Sequence, residues 1–270
     1  MNEAVIKPTG AVLGGRPLPV PDGVDPAMFA RRMGRLWTVQ VESAFAITPR
    51  VRRVRLTGAE LAGWSHKPGQ EIILRLPQDN GEVARRHYTI RRFDRAGNTM
   101  DVDFVLHGDS VATRWAQNAK PGDSLDLTGP RGRIVVNPQA EWQLFSGDET
   151  CIPAIYAMIE SLPKTARAFA FIEVAGPDET QSLEADATVA LEWLFRNGAP
   201  AGPSRLLPNR LDAFALPPGR GHAYVIGETS NARAQRQALI ARGFPREQIS
   251  AEGYWRPGRV GGHDHVDDSH

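Results

Sequence analysis

A single cysteine, Cys151, in 270 residues rules out an internal disulfide framework and fits a reducing compartment. No apolar run approaches the roughly 20 residues that a membrane span requires. The opening MNEAVIKPTG is acidic at Glu3 and broken by Pro8 and Gly10, unlike a secretory leader. Excess charge of one sign is also missing: 32 basic residues face 31 acidic ones, a formal net charge of +1. There is no global field for nucleic acid or anionic lipid, so any cationic site must be local. Neither GxGxxG nor GxxxxGK[ST] occurs, which leaves the dinucleotide signal weak. No Ser/His/Asp or Cys/His constellation stands out. Cys151, in Glu149-Thr150-Cys151-Ile152-Pro153, has no activating cation beside it and reads as a packed residue. These absences predict a soluble, cytoplasmic protein without protein nucleophile, nucleic-acid partner or membrane span; a monomer is expected.

What is present begins with Arg86-His87-Tyr88-Thr89-Ile90-Arg91. In a strand, side chains alternate faces, so Arg86, Tyr88 and Ile90 share one side and His87, Thr89 and Arg91 the other. Arginine offers a planar fork to phosphate oxygens, tyrosine a flat ring and threonine a hydroxyl. Such a strand suits a flavin. Read alone, it is equally an exposed basic strand.

Residues 1–34 hold five prolines and no sustained period, and read as an N-terminal arm. Six short strand-like runs follow, Leu36–Val41, Val51–Leu56, Glu71–Leu76, Arg86–Arg92, Met100–Leu106 and Ser124–Thr128. They predict an antiparallel six-stranded β-barrel over 35–138. One helix interrupts it, from a cap at Ser110 to Lys120, and its start offers free backbone N–H groups to an anion. From about 139 the rhythm changes. Strands at Trp142–Ser146, Ala168–Val174, Val189–Phe195 and Ala223–Ile226 alternate with helices at Thr150–Leu162 and Asn231–Arg242. The pattern predicts an α/β domain over 139–258 with a mostly parallel sheet. The unit ending at Gly227-Glu228 is where a nucleotide would be expected, with Arg233 and Arg236 more often a solvated helix face than nucleotide readers. Residues 259–270, GGHDHVDDSH among them, carry almost no apolar side chain and read as a disordered tail. A cluster of His263, His265 and His270 with three aspartates could hold a divalent metal weakly, but a solvated terminus is the simpler expectation and no metal site is assigned.

The chain resembles the bacterial siderophore-interacting proteins, FAD-dependent ferric-siderophore reductases of the ferredoxin-reductase-like superfamily. The resemblance runs from about Arg35 to Gly258. It is carried, in order, by RHYTIR at 86–91, DFVLHG at 103–108, ATRWA at 112–116, PGDSLDLTGPRG at 121–132, GDET at 147–150 and GYWRPG at 253–258. It implies FAD held mainly by the barrel, with Arg86 on phosphate, Tyr88 against the isoalloxazine and Thr89 on its polar edge. His87, the strand end Asp103, Phe104, Val105, Leu106 and His107, and the helix start at Ala112 and Thr113 would surround it, with Asp148 and Thr150 reaching from the second domain. Where many members have a Gly-Pro pair before the helix, this chain reads Asp109-Ser110-Val111.

The implied reaction is flavin-mediated reduction of siderophore-bound Fe(III) to Fe(II), with NADPH, NADH or ferredoxin as donor. It needs no catalytic side chain, because the cofactor carries the electron chemistry. Ferric chelates are commonly anionic, so Lys67, Arg131, Arg133 and Arg256 are the candidate substrate residues, each near a motif expected to face the cleft. Two alternatives share the fold: a non-catalytic carrier of ferric siderophore or flavin, and a general NAD(P)H-dependent flavin or ferredoxin reductase.

Overall fold

The structure, a computed structural model, describes residues 15–20, 22–23, 25, 35–78 and 80–266. Most of the expected N-terminal arm, and Asp267, Asp268 and His270 of the tail, lie outside the described residues.

The first sheet contains β1 (Arg16–Pro17), β2 (Arg35–Thr48), β3 (Val51–Thr57), β4 (Glu71–Pro77), β5 (Val83–Thr89), β6 (Arg92–Asp94), β7 (Thr99–Val105) and β8 (Ser124–Arg131). The strands run β5-β4-β8-β2-β3-β7-β6, with β1 on β2, and every ladder is antiparallel. Eight strands stand where the sequence predicted six. The short β1 was not anticipated, and the expected strand Arg86–Arg92 divides. Its first part pairs with β4, and at Ile90 and Arg91 the chain turns a corner. Ile90 N–H donates to Gln70 O at 3.0 Å, Arg91 N–H donates to Asp101 O at 2.9 Å, and β6 continues along β7. Alternation along β2, β3, β4 and β7 fills one core with Trp37, Val54, Leu56, Leu74, Leu76 and Phe104. Trp64 from the loop meets Trp37 edge-on, ring centroids 4.8 Å apart. Helix α1 (Val111–Asn118) closes this core with Ala112 and Ala116.

The second sheet has β9 (Trp142–Asp148), β10 (Arg167–Val174), β11 (Thr188–Phe195), β12 (Gly221–Glu228), β13 (Ile249–Trp255) and β14 (Asp264–His265) in the order β11-β10-β9-β12-β13-β14. It is mixed: the first five pair in parallel, and β14 is antiparallel to β13. Helices α2 (Ile152–Glu160), α3 (Leu206–Asp212) and α4 (Thr229–Ala241) cover its faces. Neighbouring residues therefore enter opposite cores. Phe145, Ile172 and Tyr224 pack with α2, whereas Leu144, Phe171 and Val225 pack with α3 and α4, which explains the nearly continuous apolar runs that marked these strands.

Among the polar contacts that join the sheets are two that are largely buried. Arg91, 5% exposed, donates from both terminal nitrogens to both carboxylate oxygens of Glu160 on α2, at 2.7 and 2.6 Å. Its guanidinium also lies 5.3 Å from the Tyr156 ring centre. On β2, Thr48 Oγ1 donates to buried Glu179 at 2.5 Å. The expected disordered tail needs correction over residues 259–266, which fold back. Val266 enters the α4-side core, Thr229 Oγ1 donates to Asp264 at 2.9 Å, and Arg256 and Arg259 pair with the same carboxylate. The low apolar content that suggested disorder is offset by one well-placed valine and these polar anchors.

Candidate functional site

Between the corner of the first sheet and the carboxyl ends of β9, β12 and β13 lies a cavity of about 470 Å³, in the size range of ligand pockets. In the second sheet the chain leaves β9 for β10 on one side and later returns to β12 on the other, so the cavity sits where strand order reverses. One wall comes from β5 with Arg86, His87, Tyr88 and Thr89. A second comes from β7 and the start of α1, a third from Glu149, Thr150 and Pro153, and the last from the strap Tyr254–His263.

The alternation of β7 decides which of its predicted residues reach the cavity. Asp103, Val105 and His107 line it. Phe104 is fully buried behind Tyr88, with ring centroids 4.3 Å apart, and Leu106 packs against the same core. Asp103 is itself engaged, accepting two hydrogen bonds from Arg53 at 2.6 and 2.8 Å. At the helix start, Ser110 and Ala112 line the cavity. Thr113 does not: its N–H donates to Ser110 Oγ at 3.1 Å, so that Ser110 caps the helix, and its hydroxyl donates to His107 O at 3.1 Å.

Arg86 donates to the carbonyl of Arg85 at 2.8 Å, and among the described residues no carboxylate pairs with it. A Cβ at Gly261 of the strap would come within 3.3 Å of its Nη1, so glycine lets the strap close against this guanidinium. Burial pushes the Tyr88 hydroxyl well above its ordinary range. Thr89 is buried, and burial also pushes the Tyr254 hydroxyl up. An unpaired cation, a flat ring and a capped helix start facing one cavity fit a phosphate-bearing aromatic cofactor.

Asp148 is placed otherwise than predicted. It is buried and lies outside the lining. Oδ1 accepts from Thr150 N–H at 2.9 Å and Thr150 Oγ1 at 2.5 Å, and Oδ2 from Glu228 N–H at 2.7 Å and Trp255 Nε1 at 3.0 Å. The carboxylate thus ties together the ends of β9, β12 and β13. Burial, reinforced by the charge of Glu149, pushes it up to about 6 against those four donors. Thr150 lines the cavity. Cys151 is fully buried and burial pushes its thiol up, as a packed residue requires.

Of the four cations assigned to substrate, only Arg256 lines the cavity. Arg131 lies 3.7 Å from Glu71 and Arg133 lies 3.2 Å from His265, both at the strap edge. Lys67 sits on an adjoining turn, joined to the 131–133 loop through Gln70 Nε2 donating to Gly132 O at 3.3 Å. Sequence reasoning missed Glu71 and Tyr254 here and named His263 only within a solvated tail cluster. Glu71 is a buried carboxylate at the head of β4, Tyr254 belongs to the GYWRPG motif, and His263 stacks on Tyr254 with ring centroids 4.9 Å apart and planes at 8°. The signal for His263 was Val266, an apolar anchor three residues on.

Residues 140–258 match the family model described as siderophore-interacting protein, and residues 74–134 match the siderophore-interacting FAD-binding domain. An uncharacterized protein of Mycobacterium tuberculosis is 38% identical over 186 residues, 65% of this chain and 66% of that protein. The ferric vibriobactin reductase ViuB of Vibrio cholerae is 29% identical over 236 residues, 79% of this chain and 86% of ViuB. A siderophore utilization protein from T. fusca, solved by crystallography, superposes with a TM-score of 0.78 at 35% identity, covering 84% of this chain and 94% of that one. Ferredoxin-NADP+ reductases, at 12 and 17% identity, share the fold. The motifs, the two sheets meeting at one cavity and these matches agree, and this chain belongs to the siderophore-interacting protein family.

Proposed function

We propose that the chain is an FAD-dependent ferric-siderophore reductase that releases iron by reducing Fe(III) to Fe(II) in the cytoplasm, acting as a monomer. The observation that carries the proposal is Arg86, a cation without a carboxylate partner among the described residues, facing a cavity shared with Tyr88, Thr89 and the start of α1. In this reading Arg86 and the Ser110–Ala112 turn hold the flavin phosphates, Tyr88 supports the ring and Thr89 meets its polar edge. His87, Asp103, Val105, His107 and Thr150 complete the surroundings. Phe104, Leu106, Thr113 and Asp148 act from behind, by holding those residues in place.

When bound, FAD supplies the electron chemistry, accepting electrons from NADPH, NADH or a ferredoxin and passing them singly to iron. The protein's part is to position and attract. Arg131, Arg133, Arg256 and Lys67 form a cationic rim that draws in an anionic chelate. Fe(III), a hard ion, is held tightly by oxygen-rich ligands, whereas Fe(II) is softer and leaves them readily. The ends of the first sheet meet through Ile90 and Arg91, which supports a barrel over 35–138. The five parallel strands that follow support an α/β nucleotide-binding unit over 139–258.

The test is the absorption spectrum of the purified protein, with FAD separated from FMN after denaturation. Turnover with a ferric siderophore then follows, with Fe(II) trapped by a chromogenic chelator. Yellow protein that yields Fe(II) only with donor and siderophore both present is the expected result. A colourless protein that takes up no FAD would overturn the reductase and favour the carrier.

A further inference from the structure

We infer that Glu71, His87 and His263 form a binding site for a divalent first-row transition ion, with Fe(II) leaving the reduced chelate as its cargo. One ligand atom from each of the three lies within 4.8 Å of the others. Glu71 Oε1 is 2.7 Å from His87 Nδ1, and Oε2 is 3.3 Å from His263 Nδ1. The carboxylate already bridges the two imidazoles. Metal–nitrogen and metal–oxygen bonds of about 2.0–2.2 Å place neighbouring ligand atoms some 3–3.5 Å apart, so rotamer-scale adjustments close the set around an ion.

The surroundings support a metal over a plain ion pair. The side chains are only 11, 20 and 13% exposed in the order Glu71, His87, His263, yet all three line the cavity, so open coordination positions face whatever enters. Glu252 Oε1 stands 3.6 Å from His263 Nδ1 and adds negative charge beside the site. Arg131, 3.7 Å from Glu71, is the competing cation and would swing away on loading.

The donor set also discriminates between oxidation states. Two imidazoles and one carboxylate are borderline ligands that suit Fe(II), Co(II) and Zn(II), whereas Fe(III) favours all-oxygen chelators. A site of this kind beside the reduction chamber would take the ion only after it has been reduced. The ferrous assignment rests on the reductase reading; metal binding by these three side chains does not.

The experiment is anaerobic equilibrium dialysis of the full-length flavin-loaded protein against Fe(II), and separately Co(II), with metal and FAD both quantified. Wild type is expected to hold one ion per chain. Glu71→Gln and His263→Ala should each weaken binding beyond the roughly 10–100-fold that loss of an outer-shell partner costs, with metal counted per FAD-loaded chain. His265→Ala/His270→Ala should bind as wild type, since neither histidine is one of the three proposed ligands. Absence of binding in wild type, retention of binding in both single variants, or loss only in the tail double variant would each overturn the site. If Glu71→Gln does not fold, His263→Ala on the strap carries the test. Protein that lacks FAD but binds metal through these residues would refute the reductase alone, leaving the site standing.

Discussion

Arg86 and Arg91 sit five residues apart in one motif, and the structure gives them separate surroundings that a pair of variants can test. Arg91 makes two short bonds to Glu160, is 5% exposed, and faces a carboxylate whose side chain is 18% exposed. Removing one partner of a buried pair costs about 3–5 kcal/mol, because the other charge is left stranded. Here Arg92 Nη2 is 3.6 Å from Glu160 and the carboxylate can reach water, so Arg91→Ala should fall near the lower end, about 3 kcal/mol. With a urea m-value of about 3 kcal/mol/M, the unfolding midpoint followed by tryptophan fluorescence should drop by about 1 M. Arg91→Met/Glu160→Met, which removes both charges, should recover most of that loss, since apolar replacement of a buried pair is often close to neutral. FAD occupancy of the folded Arg91→Ala protein should match wild type. An unchanged midpoint combined with loss of FAD would show that Arg91 serves the cofactor and that the bolt between the sheets contributes nothing.

Arg86→Ala should weaken FAD binding by about 1.5–3 kcal/mol, roughly 10- to 150-fold, while Arg95→Ala on an exposed turn should not, as read by fluorescence titration; equal affinities would misplace the phosphate. Arg131→Gln/Arg256→Gln should raise KM for an anionic ferric siderophore with FAD content intact. Wild-type kcat/KM should fall with salt more than that of the variant, because attraction is screened over about 10 Å at 0.1 M; parallel salt dependences would remove both residues from the rim. Asp148 is held up to about 6 from an ordinary 3.8, so the stability its protonation contributes is present below the ordinary value and lost as pH rises through about 6. The advantage of wild type over Asp148→Asn in urea midpoint should therefore narrow between pH 5 and pH 8, and a widening gap would mean that the four donors keep the carboxylate ionised.

The main architecture was legible because period and punctuation were strong. Alternating apolar residues marked the first sheet, and runs buried on both faces marked the second. What escaped was long-range. Nothing local in Arg86–Arg92 reveals that the strand changes partner at Ile90, because the cause is a carboxylate on α2 that arrives 69 residues later. DFVLHG was assigned whole, although alternation alone would have divided Asp103, Val105 and His107 from Phe104 and Leu106. Asp148 was recognisable as part of a motif but not as a bracket, since two of its four donors lie on other strands, 80 and 107 residues away. The strap was judged by mean composition, and one valine and one aspartate with distant partners outweighed that average.

The strap also sets an order of events during synthesis. The first sheet ends at Arg131, while Tyr254–His263, the last wall of the cavity, emerges about 130 residues later. At 5–20 residues per second that gap is roughly 7 to 26 s. Throughout it, Arg86 and Tyr88 belong to a nascent segment whose cavity lacks its last wall. Tight capture of the cofactor therefore belongs to the finished chain and not to the ribosome-bound one. A stalled or prematurely terminated product would carry the flavin motif without the means to retain flavin.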